Sequence, residues 1–522
     1  MKQSAVDPAC THQFSPLFLD YIDQKESLKP FYSFFPTIEN FGAAVRNRRF
    51  PKLHREVLVQ ELRRQYEDIG DRDLVEKQLE RLQEERTFTV TTGHQLNLMT
   101  GPLYFIFKIV STINLAKCLN ESYPDFHFVP VYWMASEDHD FEEINHFVMD
   151  GIKYTWESEQ TGPVGAFRMD KSLKDLIAQL RFLPDFFRQA YLESEDLAEA
   201  VRKYVHSLFG PEGLVVLDAN SAPLKRLFVP VIEDDLLTQR ANGLVKEQND
   251  RLERMGYKTQ IHPREINFFY MTEGMRDRIV RTDAGYEVVG TDTLRWSVAE
   301  LLEELNIHPE RFSPNVVMRP LYQEVILPNV AYLGGPAEVA YWFQLKGVFD
   351  HYQVDYPAVM PRNFGMVIPK SVSRKVQALG LEVTELFKTY DELRIAYTLS
   401  HAESDLLLIE EQEELGKLYK KIRHRLGGAD PTLDAAVLAA ETRGRKMLGQ
   451  LAVKLRKAEE KKHQVAIRRI GEVKAALFPG GSPQERKENF LGFYLDRPEI
   501  LSEFLATFNP LDFRVVVMDL DG

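Results

Sequence analysis

The chain has 522 residues, more than one hydrophobic core usually covers, so two or three domains are expected. Its 65 Lys and Arg against 78 Asp and Glu leave a net charge of −13, which repels phosphate backbones and argues against a nucleic-acid partner. No run of about 18 apolar residues is present to span a bilayer, and no apolar stretch follows a basic start, so no membrane partner and a cytoplasmic location are expected.

Up to about Glu85 the pattern is helical, as in HREVLVQELRRQYEDIG and DLVEKQLERLQEER, with apolar residues three or four apart. The β-branched run Phe88–Thr92 then reads as a strand that stops at Gly93-His94-Gln95, and a helical pattern runs from near Pro102 to about Leu119. A second run, Phe126 to Trp133, is apolar at nearly every position, as in a strand buried on both faces, and it opens into Glu137-Asp138-His139-Asp140. The unit reads as βαβ. Open α/β sheets bind ligands beyond the carboxyl ends of their strands, so the GHQ and EDHD loops are expected to face one pocket. Asp150-Gly151, between two short apolar runs, signals a β-hairpin. A helical, aromatic segment follows to Gly210, and Gly213–Asp218 supplies another buried strand. Pieces around TQIHP, NFFYMTE and YEVVG look like strands of an insertion, and Val330–Leu333 meets a helix start through Gly334-Gly335-Pro336, where backbone N–H groups are offered.

From about Leu381 the apolar spacing is that of long helices, interrupted at Gly427-Gly428 and restarted at Asp430-Pro431, with Asp430 as the expected N-cap. Two antiparallel helices forming a coiled coil are expected, and Lys462 on its seam points to loose pairing or a third helix. Phe478–Pro483 breaks the helix, and the tail reads as one helix and a final strand returning to the core. The organisation expected is thus a core over 1–380 with insertions at about 157–212 and 257–315, a helical domain over 381–478, and a tail over 479–522. Cys10 and Cys118 form no CxxC, and Cys118, late in a helix, reads as core filling.

Gly93-His94-Gln95, Thr100-Gly101-Pro102-Leu103-Tyr104, Lys108, the run Trp133 to His146, and Arg319-Pro320-Leu321-Tyr322-Gln323 through Gly334-Gly335-Pro336 to Trp342 resemble the bacillithiol biosynthesis cysteine-adding enzyme family, the cysteine ligases. The resemblance covers essentially the whole chain. It implies an α/β fold with a Rossmann-like, nucleotidyltransferase-type core akin to class I aminoacyl-tRNA synthetases, connecting insertions, a helical coiled-coil domain and a homodimer. It also implies an amide bond from L-cysteine to the amine of glucosaminyl malate, the last step of bacillithiol synthesis. By the same resemblance Gln95, Thr100, Lys108, Asn145, Arg319, Tyr322, Gly334 and Gly335 are candidates for binding substrate.

The chemistry sets its own demands. Joining a carboxylate to an amine in water is uphill, so cysteine must be activated, most simply with ATP, and an anion site is needed. There is no GxxxxGK[ST] loop and no GxGxxG fingerprint, which leaves Gly93-His94-Gln95, Gly334-Gly335 and Arg319 to meet phosphates. A general base must take the proton of the attacking ammonium; Asp138 and His139 are the first candidates, with Glu137, Asp140 and His94 beside them. The acidic cluster also admits a solvated helix start or a metal site, and Arg319 also admits a loop tie. A metal-dependent amidohydrolase or deacetylase of an amino sugar, and a non-catalytic coiled-coil scaffold, are the competing functions. Lys370–Lys375 resembles a KMSKS loop out of register, and Asp519–Gly522 a phosphatase DxDG, but both read more simply as a helix start and a strand end.

Overall fold

Thr87–His94 is buried along nearly its whole length because it is the central strand of a five-stranded parallel sheet in a computed structural model that describes residues 2–426 and 431–521. The order is Ala358–Pro361, Asn329–Gly334, Thr87–His94, His127–Met134, Val215–Asp218, and every pairing is parallel. A strand covered on both faces has no solvated side for its hydroxyls. Asn329 supplies the partner: its Oδ1 accepts from Thr89 and Thr91 at 3.1 and 2.8 Å, and its Nδ2 donates to Glu324 at 2.7 Å. The helix Tyr104–Ser122 connects the two strands of the expected βαβ unit.

Strand order decides where a ligand can sit. From Thr87–His94 the chain proceeds to a neighbour on one side and returns much later to Asn329–Gly334 on the other, so the sheet changes direction between these two strands. The loops leaving their carboxyl ends diverge and leave a crevice.

The hairpin forms as expected, His146–Met149 against Ile152–Thr155, with Asp150 and Gly151 at φ 52° and 76°, the left-handed pair of a type I′ turn. The later insertion is a five-stranded antiparallel sheet, in the order Arg295–Trp296, Gly285–Val288, Met275–Thr282, Phe268–Thr272, Phe312–Pro314. TQIHP is not one of its strands. The backbone there is claimed by side chains: Gln344 Oε1 accepts from the N–H groups of Gln260 and Ile261, and Asn249 donates to the Ile261 carbonyl. The charged strand Met275–Thr282, MRDRIVRT, escapes periodicity because its polar residues face a cleft as well as solvent.

The chain divides into two compact units. One comprises Asp7–Gly365 with Glu485–Val516; the other is Met366–Gln484 with the two chain ends. The boundary lies earlier than 380 because the helix Lys370–Leu379 packs on Gln464–Leu477, with Lys375 paired to Glu472 at 2.8 Å. In place of one tail helix there are two, Leu491–Asp496 and Ile500–Thr507, parted at Arg497-Pro498. The final strand Val515–Asp519 does not join the parallel sheet. It lies between Lys2–Val6 and Phe364–Ile368, and the polar N-terminal strand that receives it carries no apolar signal.

In the second unit Ile409–Leu426 and Pro431–Lys462 run antiparallel, with Arg423 bonded to Asp434 and Leu415 against Gly444. The expected stop at Gly427-Gly428 and N-cap at Asp430 lie outside the described residues. The long helix ends at Lys462, and a third helix, Tyr390–Ser400, pairs with it through Arg394 and Glu460 at 2.6 Å. Cys118 is partly exposed, not core filling, and Cys10 is exposed.

Within the first unit, Asn489 fastens the returning tail. Its Nδ2 donates to the carbonyls of Met99 and Gly101 at 2.7 and 2.6 Å, holding a turn in which Met99, Thr100 and Gly101 all have positive φ. Asn489→Ala would leave both buried carbonyls unpaired and is expected to lower unfolding stability by about 2 to 3 kcal/mol, read as a reduced midpoint in urea.

Candidate functional site

The crevice at the sheet's change of direction is a cleft of about 870 Å³. Gly93, His94 and Gln95 enter it from the end of the central strand, Ala135, Glu137 and Asp138 from the next, and Ala337, Glu338 and Tyr341 from the helix Pro336–Phe343. The opposite wall is the insertion, through His262, Arg264, Phe269, Arg276 and Arg278. His94, Asp138 and Arg319, distant in sequence, therefore share one cavity.

His94 lies between Tyr104 and Phe105, at ring distances of 5.3 and 5.1 Å. Burial, with the charges of Lys108 and Arg362 adding to it, pushes its imidazole well below the usual range, so the ring is neutral. Its Nε2 is shut off from solvent and, among the described residues, has no hydrogen-bond partner. Lys108, 3 % exposed, donates to the Gly93 carbonyl at 2.9 Å and pairs with Glu338 at 2.6 Å. Glu338 also accepts from the Gly335 N–H at 2.7 Å and from the Tyr332 hydroxyl at 2.6 Å. Burial alone would raise its carboxyl, but Lys108 and the Gly335 N–H outweigh that and hold it below the usual carboxylate range.

The acidic loop disperses its side chains. Glu137 pairs with the fully buried Lys225 at 2.9 Å. Asp138 accepts from its own loop, at the N–H groups of His139 and Asp140, through Oδ1, and from Gln95 at 2.8 Å through Oδ2. His139 turns to Arg276, whose Nη1 lies 2.8 Å from Nδ1; a guanidinium can only donate, so Nδ1 accepts. Among the described residues no group of three or more His, Cys, Asp or Glu side chains could hold a metal ion, and this dispersal is the reason.

Of the residues singled out from sequence, His94, Gln95, Lys108, Glu137, Asp138 and Arg319 line the cleft. Arg319 is not at a strand end: it opens the helix Met318–Ile326, where it donates to Gln323 at 3.1 Å and to the Tyr341 hydroxyl at 3.4 Å. Seven others are not among the lining residues. His139 stands behind Arg276, and Asp140 is the N-cap residue of a one-turn helix. Asn145 binds its neighbour His146, and Thr100 is buried in the Met99–Gly101 turn. Tyr322 donates to the Ala219 carbonyl at 2.8 Å and packs edge-on against Trp133. Gly334 is within the strand, and the Gly335 N–H expected to meet an anion is spent on Glu338.

Glu338, Tyr341, Lys225 and the insertion's cations were not singled out from the sequence. Glu338 had a signal, its place three residues into a helix, where a carboxylate reaches back to the cap. Arg276 and Arg278 had another: alternate residues of a strand share a face. Arg276 packs over Phe269 at 4.1 Å and donates to Ser313 and to the Pro314 carbonyl. The loop bearing Arg264 is held by Asn267, which bonds both the N–H and the carbonyl of Arg264 and in turn donates its own N–H to buried Asp235 at 2.8 Å.

The description "Bacillithiol biosynthesis BshC, N-terminal Rossmann-like domain" matches residues 1–363, and "Bacillithiol biosynthesis BshC, C-terminal coiled-coil domain" matches 365–520. Proteins named "Putative cysteine ligase BshC" are similar over nearly the whole length. The one from Cytophaga hutchinsonii is 39% identical over 97% of this chain and 96% of its own. That from Flavobacterium psychrophilum is 40% identical over 95% and 96%, and that from Bacillus anthracis 30% over 92% and 93%.

Two measurements check this electrostatics. Glu338→Gln strands Lys108 in a buried site and is expected to cost about 3 kcal/mol in unfolding stability, part of which Lys108→Met in the same chain restores. Burial pushes Asp235 up to about 6 from 3.8, so the folded chain holds this proton more tightly than the unfolded one. Its contribution is full below pH 3.8 and is lost as pH rises through about 6, a change of about 3 kcal/mol that Asp235→Asn should abolish in denaturant titrations across that window.

Proposed function

We propose that this chain, which belongs to the bacillithiol biosynthesis BshC family, is a ligase that joins the carboxyl group of L-cysteine to the amine of glucosaminyl malate, the last step of bacillithiol synthesis. The observation that carries the reading is the cleft at the turning point of the parallel sheet, which gathers an unpartnered neutral His94 Nε2, the Asp138 carboxylate and the Arg319 guanidinium.

Each of these has a task in amide formation. ATP supplies the activation of the cysteine carboxyl, as an acyl adenylate or acyl phosphate. Among the described residues Arg319 has no carboxylate partner, and it offers its remaining donors to negative charge on the activated group while its guanidinium lies over the Trp133 and Tyr332 rings. His94, neutral and fixed between two rings, gives or takes one hydrogen bond without changing charge. Asp138 Oδ1 accepts from its own loop with the His139 ring 3.8 Å away, while Oδ2 is bonded, among the described residues, to the Gln95 amide and accepts the proton that leaves the attacking ammonium. His139 is a positioning residue: it holds Arg276. Exposed Leu418, Met447 and Leu451 on the helical unit support a homodimer.

Incubation of the full chain with L-cysteine, glucosaminyl malate and ATP is expected to yield the cysteinyl amide by mass, with AMP or ADP release reporting the route. Asp138→Asn should lower kcat by about a hundredfold with little change in KM. A strain lacking the gene should accumulate glucosaminyl malate and contain no bacillithiol; normal thiol content there would refute the assignment.

A further inference from the structure

The cations of the cleft differ in whether they are already engaged. Lys108 is paired with Glu338, Arg276 is bound to His139, Ser313 and Pro314, and Arg319 to Gln323 and Tyr341. Arg264 and Arg278 are different. Among the described residues no hydrogen bond or ion pair reaches either guanidinium, although both line the cleft. Both also line a second, smaller cavity of about 220 Å³ that adjoins the first, with Ile266, Ile279, Val280 and Arg281 in its walls and, among the described residues, Glu265 as its one carboxylate.

This side pocket is held in place. Arg278 lies opposite Phe269 in the antiparallel register, and Phe269 is covered by Arg276. The Arg264 loop is bonded at two points by Asn267, which is anchored to Asp235. Two guanidinium groups without partners among the described residues have all their donors to offer, and each presents a planar fork that matches a carboxylate or phosphate. The apolar walls add a choice between these. A short carbon chain carrying two carboxylates would bury its methylene against Ile266, Ile279 and Val280, whereas a diphosphate has nothing to place there.

We propose that Arg264 and Arg278 form a subsite for a short-chain dicarboxylate at the mouth of the cleft, the anionic end of the amine-bearing substrate. The assignment rests on the ligase reading for the identity of that substrate, and on the side pocket alone for the chemistry it binds. With the dicarboxylate held here, the amine at the other end of the same molecule extends into the main cleft toward Asp138.

The test is calorimetric titration of the full chain with L-malate and, separately, with inorganic pyrophosphate, on the unsubstituted protein and on Arg264→Gln, Arg278→Gln and Arg278→Lys. Both arginines are exposed, so the variants should keep the fold, which circular dichroism checks. Malate affinity is expected to fall about tenfold or more in each Gln variant, to recover in part in Arg278→Lys, and to weaken as salt rises, with pyrophosphate much less affected. No saturable malate binding by the unsubstituted chain, or malate binding that survives both Gln substitutions, overturns the proposal. Loss of pyrophosphate binding with malate unchanged overturns it too, and gives the two arginines to phosphate. Because these readouts need no turnover, failure of the amide-forming assay leaves them interpretable, and success of that assay does not rescue a subsite that fails to bind malate.

Discussion

Lys108 joins three pieces of backbone that the chain order keeps apart. Its ammonium sits on the carbonyl of Gly93 at the end of the central strand and on Glu338 at the start of a helix more than two hundred residues later, while Glu338 caps that helix at Gly335. Lys108 is buried, where a lone charge would be costly, so it requires Glu338, which is half-buried at the cleft wall. The pair bridges the crevice between the two strands at which the sheet changes direction, and both residues line the cleft.

Around this fixed centre the ionised groups divide by whether they already have partners. Glu137 with Lys225, and Arg276 with His139, are spent on holding the acidic loop and the insertion together. Asp138 and Arg319 keep hydrogen-bonding capacity toward the cleft, as do Arg264 and Arg278 farther out, and among the described residues the buried His94 Nε2 has no partner. An acidic cluster that gathers Glu, Asp and His within four positions thus does not converge on a point. Short loops spread consecutive side chains in different directions, and here each finds its own neighbour.

The insertion supplies a wall that a doubly wound sheet does not have by itself. Its strand Met275–Thr282 alternates so that Arg276 and Arg278 face the cleft, and Phe269 on the neighbouring strand gives Arg276 an aromatic surface to lie on. The strand ends and the insertion that faces them across the cleft are therefore carried on separate sheets, so that one wall can vary without disturbing the other.

Sequence by itself determined four of the five parallel strands, all but Ala358–Pro361, with the hairpin at Asp150-Gly151, the helical second unit and the meeting of the GHQ and EDHD loops, because periodicity and turn chemistry are local and the carboxyl ends of parallel strands share one edge. The family resemblance was legible for the same reason, since its motifs are contiguous runs. Tertiary structure alone decided which of those residues reach the cleft. Tyr322 and Asn145 turn to other partners, Gly335 gives its N–H to Glu338, and Arg264, Arg276 and Arg278 arrive from a sheet whose charged strand looks like loop. The final strand, too, was claimed by Lys2–Val6 at the other end of the chain. A side chain's direction is set by what packs against it across hundreds of residues, and no spacing along the chain encodes that.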